Sequence, residues 1–469
     1  MSWSPASLPS PGTRTASPWR RALLRFFRGG ILRRRVVALA WPAVAEQMLQ
    51  MALGMVDMIL VGSIGPAAIA AVGMSDQIIM LVLVSFAAFN VGTTALVARH
   101  AGSRDLAAAG RVAHQAILVS LGLGALLGGA VFLAAPRALI LMGAAPDVLA
   151  LGTPYFRLMC ASIPFLALSV VGNATMRGAG DTRTPLYVAG AVNLLHITLA
   201  FLLIFGHLGL PRLGVLGAGI ATLTARSLSG LVTLWVLMSG RSCLRLSLAG
   251  FRSWQGETLT RLLRVGLPAA GEQFMMRLGM TGYARIVAGL GTAAFAAHRV
   301  ALNVESLSFT PGFGFALAAT TLVGQGLGAR KPRAAEAAGY QTLHYAVALM
   351  SVMGIFFFAF SRPMVLVFTQ DPQVVDLASI CLKIVGLAQP VLASSMVMAG
   401  ALRGAGDTRW TLFITAFGIW LVRIPLALLF TGLGFGLPGA WIAMSIDLTV
   451  RGTLMFWRYR AGRWKSIQI

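Results

Sequence analysis

The heptapeptide RGAGDTR stands at Arg177–Arg183 and again at Arg403–Arg409, an offset of 226 positions (403 − 177). The same offset pairs Pro42 with Pro268, Glu46 with Glu272, Gln47 with Gln273, Gly65 with Gly291, Thr94 with Thr320 and Gly102 with Gly328. It also pairs Arg104 with Arg330, Pro146 with Pro372 and Pro164 with Pro390. Apolar chains match by chance at Ala, Leu and Gly. Pro, Glu, Gln and Arg kept in one register point instead to an internal duplication, which must be recognised before the fold is read.

Composition says what was duplicated. The 469 residues are 57% hydrophobic and only 11% charged, where a soluble domain carries about 25% charged residues. Apolar runs of the length that crosses about 30 Å of hydrocarbon recur twelve times, starting near Val36, Ile69, Val112, Val148, Pro185, Gly214, Leu262, Phe295, Ala338, Val374, Thr411 and Pro438. Six runs per half is an even number, so the second half re-enters the membrane in the orientation of the first, and the repeats are parallel. The expected fold is an all-α polytopic membrane protein with twelve transmembrane helices in two pseudo-symmetric six-helix lobes. Its expected parts are a basic, disordered tail (1–35), a first lobe (36–239), a cytoplasmic linker (240–261), a second lobe (262–460) and a short tail (461–469).

The net charge of +24 has a topological reading. Arginines crowd the N-terminal tail, the segment Arg99–Arg111, both heptapeptides, Arg241–Arg264, Arg330–Arg333 and the C-terminal tail, while the alternate loops hold only Arg137, Arg212 and Arg362. Basic loops stay on the cytoplasmic side, so both termini and both heptapeptides are expected there, in the cytoplasmic (inner) membrane. Interleaving with spans assigns the charge to topology and anionic headgroups rather than to nucleic acid. The first apolar stretch, Val36–Ser63, is too long for a cleaved signal peptide and lacks a small-residue cleavage site. Cys160, Cys243 and Cys381 form no pairing pattern, and the six histidines show no metal-ligand spacing, so neither metal nor cofactor is expected.

Four segments carry a family resemblance: WPAVAEQMLQMALGMVDMILVGSIG (Trp41–Gly65), GLPAAGEQF (Gly266–Phe274), AAHRVALNVESLSFTPGFGFALAATTLVGQGLGA (Ala296–Ala329) and the heptapeptide in both halves. Together they resemble the multidrug and toxic compound extrusion (MATE) family, from about Val36 to the end of the twelfth span. The resemblance implies a monomeric two-lobed antiporter that expels small organic, often cationic, molecules in exchange for H+ or Na+, surrounded by membrane lipids. A flippase for a lipid-linked precursor, which would need a large cationic cavity, and a polytopic membrane enzyme are the other readings.

Candidate residues follow from symmetry and its breaks. In RGAGDTR the glycines allow a sharp reversal, Asp181 can cap the next helix and the arginines are expected at the headgroups. The resemblance attaches a cation-coupling role to an acid near the second copy, which by position is Asp407. Asp57 breaks the symmetry, since its offset partner is Tyr283, and an ionisable residue inside a span is a functional candidate by default. Glu46, Gln50, Gly54 and Asp57 share one helical face above Pro42, and the resemblance also singles out an aspartate fifteen residues after that proline. Glu46 and Glu272, each four residues past a proline, read as coupling groups, as polar glue between helices at the lobe interface, or as partners of buried arginines. Where some relatives carry a glutamate on the seventh helix, this chain has Met276 and Arg277. Where many pair Asn with Asp on the fifth, it has His196 and Ala200. Losing two oxygen ligands favours H+ over Na+ as the coupling ion.

For substrate, Glu305, Phe309 and Phe313 fall at i, i+4 and i+8, a carboxylate beside aromatic faces that suits a lipophilic cation. Gln50, Tyr283 and Met276 join them as expected contacts. The PGFGF run from Pro311 is expected to break the eighth helix and free carbonyls, with Pro42, Pro268 and Pro311 as conformational positions. Asp447 and Arg451, four apart, read as a structural ion pair, and the many methionines as filler.

Overall fold

The structure, a computed structural model, describes residues 30–247, 250 and 255–469; the expected disordered tail up to residue 29 and the linker residues 248–249 and 251–254 lie outside the described residues. The first lobe comprises α1 (Gly30–Gly62), α2 (Pro66–Gly102), α3 (Leu106–Leu141), α4 (Pro146–Ala161, continued after a 43° bend as Ile163–Ala179), α5 (Arg183–Phe205) and α6 (Val215–Ser239). The second comprises α7 (Gly256–Ala288), α8 (Thr292–Gly328), α9 (Pro332–Ala359), α10 (Pro372–Ala405), α11 (Thr408–Gly432) and α12 (Gly436–Arg460). Within α11 the stretch Phe417–Arg423 is a π-helix. Among the described residues nine helices, or ten with the bent pair, are long and apolar enough to cross a membrane. The two that fall short, α7 and α12, hold Glu272, Arg277, Asp447 and Arg451; Asp447 is buried in protein and the other three line the cavity described below.

Two boundaries move relative to expectation. Helix α1 starts at Gly30 and α7 at Gly256, inside the segments read as tail and linker. Arg and Leu are good helix formers, and the arginines at 33–35 extend the first helix by more than a turn instead of ending it.

The offset of 226 is visible in the packing. Asp181 accepts from the backbone N–H of Thr184 at 3.0 Å, as a cap should, and the turns at Gly180 and Gly406 both have positive φ (96° and 86°), a backbone that glycine adopts without strain. A Cβ on Gly178 would press on the Thr94 carbonyl and one on Gly404 on that of Thr320; the hydroxyls of the same threonines donate to the carbonyls of Ala174 and Gly400. Only glycine lets these helices approach so closely. The arginines that open the two heptapeptides are not at the headgroups. Arg177 and Arg403 turn inward to Glu46 (3.1 Å) and Glu272 (2.7 Å), while Arg183 and Arg409 stay exposed. A buried carboxylate needs a partner, and the heptapeptide supplies it once per lobe.

The PGFGF expectation also changes: α8 runs unbroken from Thr292 to Gly328 with Pro311 inside it. Its glycines serve close packing, with Gly312 against the sulfurs of Met350 and Met396 and Gly314 against the backbone of Val44.

The lobes meet at one end only, the end that carries the heptapeptides. There Arg35 donates to Gln325 (2.9 Å), Gln325 to the Gly178 carbonyl (3.0 Å) and Thr321 to the Arg177 carbonyl (3.0 Å). Gly102 abuts the Gln325 carbonyl, and Gly328 the Arg99 carbonyl, a reciprocal contact because 99 and 325 are also 226 apart. Toward the opposite end, inter-lobe hydrogen bonds among the described residues reach no further than the sulfurs of Met51 and Met80. Beyond them the lobes part around a cavity.

Candidate functional site

The cavity has a volume of about 990 Å³, enough for one drug-sized molecule. Glu305, Phe309, Phe313, Tyr283, Met276 and Glu272 all line it; Gln50 lies on the exposed side of α1, outside that wall. The helical spacing read from sequence does bring Phe309 and Phe313 together, with ring centroids 6.0 Å apart. Glu305 is buried and has no hydrogen-bond or ion-pair partner among the described residues. The neighbouring Tyr283 hydroxyl and His298 Nδ1 are likewise buried and unpartnered. His298 stands edge-on to Tyr283 (5.6 Å) and to Trp441 (5.7 Å), and the Arg423 guanidinium lies over the Tyr283 ring at 5.6 Å. Unpartnered polar groups at this depth are costly, and Glu305, Tyr283 and His298 stand together on the cavity wall.

Two groups of paired ions occupy the rest of the wall. Asp447 accepts from Arg423 (2.8 Å) and, one helical turn away, from Arg451 (2.8 Å), so the i, i+4 pair read from sequence forms and gains a second arginine. Glu272 accepts from Arg403 and from Thr415 (3.0 Å). Asp407 lies away from the cavity, paired with Arg458 at 2.8 Å, whose guanidinium also covers the Trp410 ring. Pro42, Pro268 and Pro311 sit inside α1, α7 and α8.

A second polar cluster occupies the first lobe. Asp57 on α1 stands 3.4 Å from Nε2 of His196 on α5; the imidazole is buried and the carboxylate side chain 37% exposed. On α6, Arg226 donates to Ser162 (3.1 Å) and lies within electrostatic range of Asp57, Asp76 and Tyr155. Asp76 escaped the sequence reading. Its signal was available, because its offset partner is Leu302 and it therefore breaks the symmetry as Asp57 does. Among the described residues no group of His, Cys, Asp and Glu is arranged to hold a metal ion.

Comparison with known proteins adds three findings. The MatE family model matches residues 42–202 and again 268–429. A probable multidrug resistance protein NorM from Thermotoga maritima is 34% identical over 437 residues, covering 93% of this chain and 94% of that one, and the multidrug resistance protein MdtK of Yersinia pseudotuberculosis is 30% identical over 436 residues, covering 91% and 95%. A solved multidrug resistance transporter of the MATE family, described in an outward-facing conformation, superposes with a TM-score of 0.86 at 26% identity, over 93% of this chain and 97% of that one.

Proposed function

The chain belongs to the MatE family of multi-pass membrane transporters and is not an enzyme, and from that premise we propose that it exports lipophilic organic cations in exchange for protons. The observation that carries the coupling ion is the Asp57–His196 contact. A hard cation such as Na+ is held by several oxygens. The side chain in contact with Asp57 is an imidazole, and the Asp76 carboxylate and the Arg226 guanidinium both act on it; the imidazole and the guanidinium bring nitrogen and positive charge, and Ala200 supplies no oxygen. A proton needs a single lone pair, which the partly exposed carboxylate offers.

Cargo is expected at Glu305, with Phe309 and Phe313 as aromatic faces for the positive group. The arginine-rich loops support placing the heptapeptide end in the cytoplasm, so the described state opens outward. Protonation at Asp57 and cargo binding would then favour opposite arrangements of the lobes. Asp57→Asn should abolish efflux driven by a pH gradient while purified protein still binds an ethidium-like cation. The coupling is tested in proteoliposomes given a sodium gradient, no pH gradient and a protonophore: vigorous efflux there would reject proton exchange.

A further inference from the structure

We propose that Arg277 and Arg299 form an anion-binding subsite on the second-lobe wall of the cavity, so that the preferred cargo carries a carboxylate or similar acid as well as a positive group on an apolar frame. This rests on reading the cavity as the drug site and narrows what that site takes.

An arginine at membrane depth is costly and nearly always paired. Five arginines line the cavity, and three obey this rule: Arg403 with Glu272, and Arg423 and Arg451 with Asp447. Arg277 and Arg299 do not. Neither has a carboxylate partner among the described residues, both are exposed, and the one hydrogen bond of the Arg277 guanidinium goes to the Met80 sulfur at 3.8 Å. Against the five guanidinium groups stand Asp76, Glu272 and Glu305 on the lining and Asp447 behind it, which leaves a positive surplus.

Depth sharpens the point. Arg277 lies eleven residues before the end of α7 at Ala288, and Glu305 thirteen residues after the start of α8 at Thr292. At 1.5 Å per residue the two differ in depth by only about 3 Å. They sit on consecutive helices, level with each other, and no ion pair joins them. Were Arg277 present to neutralise Glu305, the two would bridge directly. Left apart across one cavity, they present opposite charges to a single guest, with Met276, Met280 and the two phenylalanines to hold its apolar body. A guanidinium fork suits a planar carboxylate better than any other acidic group short of phosphate.

The test uses rhodamine B, which carries a free carboxylate and a delocalised cation, and its ethyl ester, which keeps the cation and loses the acid. Fluorescence anisotropy with purified protein gives both affinities. In Arg277→Gln the ratio of acid to ester affinity should fall about tenfold, as expected for loss of one charge-assisted bond, with Arg277→Lys intermediate and Arg299→Gln in the same direction. An unchanged ratio overturns the subsite, including the case in which both dyes weaken equally. A control needs no variant: hexanoate should displace rhodamine B from wild-type protein and leave the ester bound, and equal displacement of both would also overturn it. Export of the ester from cells is scored separately. Its absence, with discrimination in binding intact, would count against the exporter reading and not against the subsite.

Discussion

Glu46 and Glu272 explain why a buried carboxylate can be read from sequence while its partner is not. Each was legible as an acid in an apolar run, and a buried arginine as its partner was one of the readings open. Which arginine was not legible, because both pairs span 131 residues and no local spacing encodes such a contact. Asp447 and Arg451 were legible because four residues on a helix is a local distance. The Glu46–Arg177 pair is almost fully buried, with side-chain exposures of 6% and 7%. Removing one partner from such a pair leaves an uncompensated charge and costs about 3–5 kcal/mol, whereas replacing both with apolar groups is often neutral. Arg177→Met alone should therefore lower the melting temperature in detergent sharply, and Glu46→Met combined with Arg177→Met should recover most of the loss. If the double variant melts no higher than the single one, the pair is not what holds α1 to the end of α4.

At the scale of a helix, α11 carries a register change between the repeats. The family match opens at 42 and 268, an offset of 226, and closes at 202 and 429, an offset of 227. The π-helical stretch Phe417–Arg423 lies between the second heptapeptide and that end, and one extra residue is what a π-turn accommodates. Packing agrees: Gly217 abuts Leu203 and Gly439 abuts Phe430, and 203 and 430 differ by 227. Apolar side chains carry no register mark, so the insertion could not be read from this stretch alone. Its consequence is that His196 corresponds to Arg423, just as Asp57 corresponds to Tyr283. One corner of the first lobe thus holds an imidazole beside a carboxylate at 3.4 Å, and the same corner of the second holds a guanidinium over a phenol at 5.6 Å. A carboxylate and an imidazole are each able to pass on a proton, whereas the second corner holds a fixed cation against an aromatic face. His196→Arg should make the first lobe resemble the second: efflux driven by a pH gradient in inverted vesicles should fall at least tenfold while cargo binding persists. Wild-type efflux in that variant would remove His196 from the coupling mechanism.

For the whole molecule, duplication and composition made the two-lobed bundle legible before any coordinates, but not which end of it is shut. That is a property of a state, set by how two finished lobes lean together. What the structure adds is the means of closure. Small residues on α2 and α8 let the lobes touch backbone to backbone: a Cβ at Gly324 would lie 2.8 Å from that of Ala98, and Gly102 and Gly328 grip each other's neighbours in the reciprocal contact. If this seam is the inner gate, alternation must open it. A disulfide needs Cβ atoms about 3.8 Å apart, so Ala98→Cys with Gly324→Cys asks for an adjustment of about 1 Å. Cys160 and Cys381 are buried, so only the exposed Cys243 need first become Ser. Oxidation of that double-cysteine protein should abolish efflux from proteoliposomes, leave cargo binding through the open end intact, and be reversed by dithiothreitol. Undiminished efflux from fully cross-linked protein would mean that cargo passes without parting α2 from α8, and the gate would then have to be sought within a lobe instead of between the two.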